Sequence, residues 1–257
     1  SPLQFVINVA AGSDDAELKR QVIDRELKRA ARIGELRFCR PEEMAGAAVA
    51  ATARAMALRT AVVAVGGDGT LNTVAQAAHA AGCAMGVIPQ GTFNYFARTH
   101  GIGADPAEAA RSLLRSAPTA VQVGAVNDRV FLVNASLGLY PELLEDREAY
   151  KARFGRSRWV AFGAACATLL RAQRRLRLHI ELGDSARDVR ALTLFVGNNR
   201  LQLQQLGVTV EASPSQAPGT GSVTAVMLRP IGTLSMIDLM MHGAMGTLGE
   251  ADGIERF

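Results

Sequence analysis

The sequence predicts an α/β fold in two domains: first a doubly wound, mostly parallel sheet, then a mainly antiparallel β-sandwich with inserted helices. Apolar β-branched runs alternate with helical patterns between residues 4 and 88, which is typical of a parallel sheet with right-handed crossovers. After about Ala120 the pattern changes to short strand-like runs separated by turn residues, as in antiparallel domains. We place the boundary after residue 122, which gives an α/β domain at 1–122 and a β-sandwich domain at 123–257.

Length and composition are those of a globular protein. The chain has 257 residues, of which 49% are hydrophobic and 20% charged, so it can bury two modest cores and is not a disordered protein. The formal net charge of +4 suits an anionic substrate or a membrane surface, but it is too small to indicate a nucleic-acid partner. Cys39, Cys83 and Cys166 are odd in number and far apart, which favours reduced thiols in a cytoplasmic protein over a disulfide or zinc site. The longest apolar run, 159–170, is too short to span a bilayer.

The first domain is predicted to alternate strands and helices. The helix after the first strand takes Ser13 or Asp14 as its N-cap and Gly34 as its stop, and Pro41 starts the next helical turn. A later helix opens with Asp105 as its N-cap. The predicted strands are 4–10, 35–38, 61–65 and 84–88, and the other predicted helices are 14–33, 42–58 and 71–81.

The second domain is predicted from turn residues and short apolar runs. A hairpin joins strands 121–126 and 130–137 through the Asn127-Asp128 turn. Further strands are expected at 176–182, 188–196, 208–211 and 223–228, helices near 141–150, 159–173 and 234–248, and a loop at 213–222.

Three loops follow predicted strands of the first domain, namely Asn8–Ser13, Gly66–Thr70 and Gly91–Asn94. Because the carboxyl ends of parallel strands share one sheet edge, we expect these loops to converge. The Gly66–Thr70 loop leads from a strand to a helix N-terminus, where glycines and free N–H groups favour a phosphate. Asp68 would repel a bare phosphate, so it indicates a metal–nucleotide complex or a group that accepts a proton from a hydroxyl. The alternative is a tight turn in which Asp68 bonds nearby backbone amides.

Two blocks of sequence in these loops resemble the diacylglycerol kinase catalytic-domain family of bacterial lipid kinases, which is related to sphingosine kinases and NAD kinases. The blocks are Gly66–Asn72 and Gly91–Arg98, at the spacing of that family, and the resemblance covers most of the chain from Val6 to Phe257. It implies a nucleotide-binding α/β domain of the NAD kinase/diacylglycerol kinase type and a β-sandwich domain, with ATP in the cleft between them.

The resemblance also implies the site residues, position by position. Gly66–Asn72 would hold the ATP phosphates, with Asp68 as the catalytic residue that meets the Mg²⁺–nucleotide and the reacting hydroxyl. Cys39 stands where the family has a threonine, and a thiol is the weaker hydrogen-bond partner, while Tyr95 replaces an acidic residue. The implied nucleotide-binding residues are Asn8, Gly12, Cys39, Gly66, Gly67, Asp68, Gly69, Thr70, Leu71, Asn72, Gly91, Thr92 and Asn94.

Two departures from the family concern the second domain. The family's Asp-Gly-x-Leu segment, tied to a structural magnesium, reads Thr220-Gly221-Ser222-Val223 here, so we predict no metal site formed by the protein alone. The family also continues past a segment like 249–257 into strands with an Asp-Gly-Glu motif, whose glutamate is a proposed proton acceptor. The chain stops at Phe257, so we expect the second domain to be truncated at its C-terminus, or the protein to be naturally short, or the reaction to rely on Asp68 alone.

The resemblance therefore predicts an ATP-dependent lipid kinase that moves the γ-phosphate of ATP to the hydroxyl of a diacylglycerol-like or sphingoid lipid. The expected cofactor is ATP with the Mg²⁺ that accompanies it, and the expected partner is a lipid alcohol, with no nucleic acid. One alternative is an NAD kinase, which shares the Gly-Gly-Asp-Gly-Thr turn. The other is a nucleotide- or lipid-binding relative that has lost turnover.

The expected location is the cytoplasm, with peripheral contact at the inner membrane face. Residues 150–179 contain no acidic residue and many basic ones. They form either a docking face for anionic lipid headgroups or a solvated helix rim, of which we favour the rim. A sheet edge exposed by a missing terminal segment would favour pairing into a homodimer.

Overall fold

The computed structural model describes residues 1–12, 16–138, 176–182, 184–198, 223–228 and 254–256. They belong to two compact units, Ser1–Val133 and a unit that begins at Asn134. The hairpin predicted for the second domain packs with the first unit, and the domain division after residue 122 stays a prediction. Several predictions fall outside the described residues: the cap at Ser13 or Asp14, the helices near 141–150, 159–173 and 234–248, the strand at 208–211, the loop at 213–222 and residues 150–175 of the basic stretch.

A four-stranded parallel sheet forms the centre of the first unit, in the strand order β2-β1-β3-β4. The strands are β1 (Leu3–Asn8), β2 (Gly34–Cys39), β3 (Val62–Gly66) and β4 (Met85–Pro89). β1 pairs in parallel with both β2 and β3, so the chain winds in one direction from β1 and in the other from β3. The predicted doubly wound sheet is confirmed.

Helices connect these strands and follow the last of them. They are α1 (Ala16–Arg29), α2 (Met44–Ala57), α3 (Asp68–Ala81), α4 (Tyr95–Thr99) and α5 (Pro106–Arg115), with a short 3₁₀ turn, Pro41–Glu43, before α2. The predicted cap of α5 is present, because Asp105 Oδ1 accepts the Glu108 N–H at 2.7 Å.

Two apolar clusters on opposite faces of the sheet give the first unit three layers. On one face, α2 and α3 pack against strand residues that include Val6 and Ala64. On the other face, α1 and α5 pack against the intervening residues, including Ile7 and Val65. Strands covered on both faces need apolar residues at every position, which explains the continuous apolar runs in the sequence.

Helix boundaries differ from the prediction where glycine does not mark them. α3 begins at Asp68, whereas the sequence predicts a start at Leu71. Residues 68–70 carry no large apolar side chain, so the apolar pattern that indicates a helix begins only at Leu71. α1 ends at Arg29 and not at Ile33, because Ala31 adopts a φ of +51° and its N–H donates to the Lys28 carbonyl. Such left-handed endings usually carry glycine, so the sequence points to Gly34 as the stop.

The predicted hairpin forms, but its second arm is shorter than expected. β5 (Gly124–Val126) and β6 (Arg129–Phe131) pair antiparallel, with Asn127 at a φ of +51° in the turn. The arm breaks after Phe131, and the next strand, β7 (Asn134–Gly138), pairs with a strand of the second unit.

The second unit is antiparallel, as predicted. One sheet has the order β12-β11-β10-β7, and β8 and β9 form a separate hairpin. The predicted strand at 188–196 is divided between two strands, because the Leu192 N–H leaves the hairpin and donates to the Leu228 carbonyl. The strands are β8 (Leu176–Leu182), β9 (Ser185–Ala191), β10 (Thr193–Gly197), β11 (Thr224–Leu228) and β12 (Ile254–Arg256).

Candidate active site

The carboxyl ends of the parallel strands lie level with one another. Asn8, the last residue of β1, pairs with Cys39, and Gly66, the last residue of β3, pairs with Pro89. β1 and β3 are also the neighbours from which the chain winds in opposite directions, where open α/β sheets bind ligands. The loops after β1, β3 and β4 therefore start at one edge of the sheet.

The turn after β3 leads directly into the N-terminus of α3. Gly67 is the N-cap residue, with extended backbone (φ −82°, ψ −179°) and no side-chain cap. Gly66 lies so close to Thr70 that a Cβ added to Gly66 would be 2.6 Å from Thr70 Oγ1. The first N–H groups of a helix have no partner within it and carry the positive end of its dipole, so this turn is suited to an anion.

Direct contacts join the α3 turn to the other two loops. Asn8 Nδ2 donates to Thr70 Oγ1 at 2.9 Å, which ties the loop after β1 to the turn. Gly67 and Gly91 approach backbone to backbone, since a Cβ added to Gly91 would lie 2.7 Å from Gly67 Cα. Only glycine allows such an approach, so these positions are set by the packing of one loop on another.

Gly12 lies where the loop after β1 approaches the loop after β4. Its φ of +75° favours glycine, and a Cβ added there would lie 3.4 Å from the Gln90 carbonyl oxygen. Each of the three loops thus contacts both of the others, which confirms that they converge.

A cavity of about 890 Å³ lies between the three loops, within the first unit. This volume is in the range of small-molecule and cofactor sites. Glycines and small polar residues form most of its wall, and Pro41 and Met44 supply an apolar side. The lining residues are Asn8, Ala10, Ala11, Gly12, Pro41, Met44, Gly67, Gly69, Thr70, Thr73, Gln90, Gly91 and Thr92.

The structure brings about half of the predicted site residues into this lining. Those that line the cavity are Asn8, Gly12, Gly67, Gly69, Thr70, Gly91 and Thr92, and those outside the lining are Cys39, Gly66, Asp68, Leu71, Asn72 and Asn94. Leu71 is fully buried in the core beneath α3. Cys39 is also buried, its Sγ lies 3.7 Å from the Arg37 carbonyl oxygen, and burial raises the pKa of its thiol.

The Asp68 carboxylate contacts the start of α4. Its Oδ2 accepts the Tyr95 N–H at 3.2 Å and its Oδ1 accepts the Phe96 N–H at 3.3 Å. These are backbone-amide contacts of the kind that the alternative interpretation of the turn expects. A carboxylate has about four acceptor positions, so Asp68 retains capacity for a hydroxyl or a cation. Burial and, next, the Asp68 charge raise the pKa of the Tyr95 phenol, which favours its neutral form.

Asn94 shapes the loop after β4. It adopts a φ of +49°, a left-handed conformation that asparagine tolerates better than most residues. Its Oδ1 accepts the Gly91 N–H at 2.8 Å, and its Nδ2 donates to the Gly91 carbonyl at 2.9 Å. Asn94 thereby fixes the position of Gly91 against the α3 turn.

The Asn72 side chain joins α3 to the β5–β6 hairpin. Its Nδ2 donates to the Val130 carbonyl at 3.3 Å, and its Oδ1 accepts the Leu132 N–H at 3.0 Å. Gln76, one turn later on the same helix, donates to the Asp128 carbonyl and accepts the Val130 N–H. The nitrogen and the oxygen of the Asn72 side-chain amide thus both bond to the hairpin segment. A role of Asn72 in nucleotide binding stays a prediction.

Replacing Asn72 with alanine should lower the free energy of unfolding by about 1–3 kcal/mol, because two partly buried backbone groups lose a partner. Chemical denaturation measures this loss. The control is His79→Ala, an exposed position on the same helix that should change stability little. Equal stability of the two variants would contradict the structural role of Asn72.

Several lining residues were not predicted from the sequence. Pro41 and Met44 follow β2 and lie at the same sheet edge, and Gln90 directly follows β4. The signal for Pro41 was available, since it starts a helical turn just after the carboxyl end of a strand. Thr73, one turn beyond Gly69, also lines the cavity, and its Oγ1 donates to the Gly69 carbonyl at 3.0 Å.

Within the described ranges, no group of three or more His, Cys, Asp or Glu side chains is arranged to hold a metal ion. No helix in the part of the chain that the structure describes is long and apolar enough to cross a bilayer.

Comparisons with known proteins agree with this architecture. Residues 2–126 match the family model for the diacylglycerol kinase catalytic domain, which confirms the resemblance seen in the sequence. The structure is similar to a crystal structure of a diacylglycerol kinase from Bacillus anthracis, with a TM-score of 0.67 and 20% sequence identity, covering 100% of this chain and 83% of that chain. At this identity the likeness shows the fold.

Curated relatives match shorter stretches. A protein of Pseudomonas aeruginosa named "Probable lipid kinase YegS-like" is 46% identical over 79 residues, which is 30% of this chain and 26% of that protein. An uncharacterized protein of Synechocystis is 31% identical over 139 residues, 53% of this chain and 31% of its own length. The matched stretches therefore span about a quarter to a third of these two relatives.

Proposed function

We propose, from the match of residues 2–126 to the diacylglycerol kinase catalytic domain, that this chain binds ATP in the cavity of its first unit. It then transfers the γ-phosphate to the hydroxyl group of a lipid. The family match supports a kinase, and the similarity to a protein named as a lipid kinase supports a lipid acceptor.

The observation that carries this proposal is the convergence of three loops around the N-terminus of α3. Gly67, Gly69 and Gly91 line the cavity there without side chains, so a phosphate can approach the backbone N–H groups closely. Pro41 and Met44 offer the apolar surface that an adenine ring requires. The triphosphate would lie against the first turn of α3, and the base would lie toward α2.

We propose that Asp68 orients the acceptor hydroxyl. It is the first residue of α3 and stands between Gly67 and Gly69, both of which line the cavity. Phosphoryl transfer needs positioning and charge neutralisation more than covalent chemistry, and a carboxylate can orient the attacking hydroxyl and accept its proton. Its bonds to the Tyr95 and Phe96 N–H groups would hold the carboxylate in place for that task.

Magnesium would arrive with the nucleotide. A carboxylate is the type of ligand that Mg²⁺ prefers, and Asp68, which lies between the lining residues Gly67 and Gly69 in the sequence, would provide one beside the cavity. When bound, the ion would neutralise charge on the transferring phosphates.

The second candidate is a nucleotide-binding relative without turnover. It is favoured by one observation: both Asp68 oxygens already accept backbone N–H groups, which is sufficient to explain an aspartate at this position. This candidate predicts ATP binding without a phosphorylated product.

The test incubates the chain with γ-labelled ATP, Mg²⁺ and one acceptor at a time: diacylglycerol, a sphingoid base, another lipid alcohol or NAD. Label on a lipid supports the lipid kinase, and label on NAD would replace it with an NAD kinase. ATP binding by calorimetry with no labelled product on any acceptor would support the second candidate. Absence of ATP binding would contradict both nucleotide proposals.

A Gly69→Ala variant tests whether phosphates approach the α3 turn. A Cβ at this position meets nothing within 4 Å, and alanine in a helix should raise the free energy of unfolding by about 0.5–1 kcal/mol. The same methyl group would occupy the space of a phosphate on the Gly69 N–H. We therefore expect higher stability together with ATP affinity lower by about tenfold or more.

The matched control is Gly46→Ala on the exposed side of α2, where an added Cβ also meets nothing within 4 Å. It should give a similar gain in stability with unchanged ATP affinity. If Gly69→Ala binds ATP as tightly as the wild type, the nucleotide does not use this turn.

A further inference from the structure

Lys19 is a lysine buried inside the first unit, behind the loop after β1. It lies in α1, its side chain is only 2% exposed, and it is not among the residues that line the cavity. Lysine is almost never fully buried unless its ammonium group is well satisfied, so a specific role for the side chain is expected.

The ammonium group of Lys19 bonds to the backbone of that loop. Its Nζ lies 3.4 Å from both the Asn8 and the Val9 carbonyl oxygens and also donates to the Ala11 carbonyl. An ammonium group has three N–H donors, and three carbonyls of one short loop accept from it here. Residues Asn8, Ala11 and the following Gly12 all line the cavity.

These bonds decide which backbone groups the loop can present to a ligand. A carbonyl oxygen carries partial negative charge and would repel a phosphate, whereas an N–H group attracts one. Since Lys19 is buried, carbonyls that point to its Nζ point into the protein and away from the cavity. Asn8 completes the arrangement, because its Oδ1 accepts the Ala10 N–H at 2.9 Å and its Nδ2 donates to Thr70.

We propose that Lys19 is a positioning residue for nucleotide phosphates: it anchors the Asn8, Val9 and Ala11 carbonyls so that these three oxygens of the loop after β1 do not face the phosphates. This inference rests on the proposed nucleotide site. Lys19 acts through the loop and does not touch the ligand. Its replacement should therefore weaken the binding of the phosphates and leave the binding of the base unchanged.

The test compares Lys19→Met, which keeps the length of the side chain but removes its donors, with the wild type. Lys28→Met is the matched control, because Lys28 is exposed at the other end of the same helix. Calorimetry measures the affinity for ADP and for adenosine, and hydrogen exchange measures the amides of residues 9–12. We expect ADP affinity to fall about tenfold or more, adenosine affinity to stay the same, and exchange at residues 9–12 to become faster.

In a kinase assay, the KM for ATP should rise in Lys19→Met while the KM for the lipid is unchanged. If Lys19→Met does not fold, Lys19→Gln, which retains two donors without charge, is measured in the same way and should show the same changes at smaller size. Wild-type exchange at residues 9–12, or an equal loss of ADP and adenosine affinity, would overturn the proposal. If the wild type binds no nucleotide, the proposed function fails, and the exchange measurement still decides whether Lys19 holds the loop.

Discussion

Replacing Asp68 with asparagine should lower the kcat for lipid phosphorylation by about 10²–10⁴-fold, the usual contribution of a general base. The affinity for ATP should change much less, because the glycines and N–H groups of the α3 turn remain. Steady-state kinetics on the lipid acceptor, together with calorimetric ATP binding, separate the two effects. Asparagine keeps the size of the side chain but offers an amide N–H₂ in place of one carboxylate oxygen.

The same substitution also disturbs the contact with α4, because the new amide side chain has a single oxygen to accept from the Tyr95 and Phe96 N–H groups. Stability is therefore measured in parallel, and a loss of about 1–3 kcal/mol is expected. Asp128→Asn, at an exposed turn position, is the control for loss of one negative charge. A wild-type kcat in Asp68→Asn would leave the carboxylate with a structural role alone.

The second large effect is expected from Gly91→Ala. The added Cβ would lie 2.7 Å from Gly67 Cα and 2.9 Å from Asn94 Oδ1, so the loop after β4 must move away from the α3 turn. Overpacking of this kind costs about 1–3 kcal/mol of stability. Because the displaced loop forms part of the phosphate site, we also expect ATP affinity to fall by about tenfold or more.

Two other variants provide the comparison for the stability and ATP affinity of Gly91→Ala. In Gly67→Ala, the added Cβ would lie 3.2 Å from Gly91 Cα, so the same losses should appear at smaller size. Gly46→Ala should show neither loss. Thermal denaturation and ATP calorimetry on all three variants provide the comparison, and equal behaviour of Gly91→Ala and Gly46→Ala would show that the loops are not packed as described.

Much of the first unit could be predicted, because β1, β3 and β4 are largely apolar runs and the longer helices show apolar periodicity, high alanine content or capping residues. The mixed sequence of β2 and the short helix α4 give weaker signals. The crossover rule gives the handedness of the connections but leaves the order of the strands in the sheet open. Helix ends were less predictable, since Ala31 and Arg59 adopt the left-handed conformation for which the sequence suggests glycine. The break after Phe131 was missed because apolar residues continue through Leu132 and Val133 without a turn residue.

The candidate site was predictable in its glycines and less so in its side chains. Gly67, Gly69 and Gly91 line the cavity as the motif implies. Asn72 and Asn94 belong to the two sequence blocks that carry the resemblance, yet their amides bond to backbone groups of the protein. Local sequence does not reveal which residues distant in the chain a polar side chain will meet, and for the same reason the contacts of Lys19 had no signal in the sequence.

The mutual contacts of the three loops also bear on how fast a ligand can bind. The conformational entropy of these loops is lost when the chain folds, so a nucleotide that enters the cavity need not order them. Association should then be limited by diffusion and charge attraction and not by loop closure. The backbone around the cavity should accordingly keep the same conformation before and after the nucleotide binds.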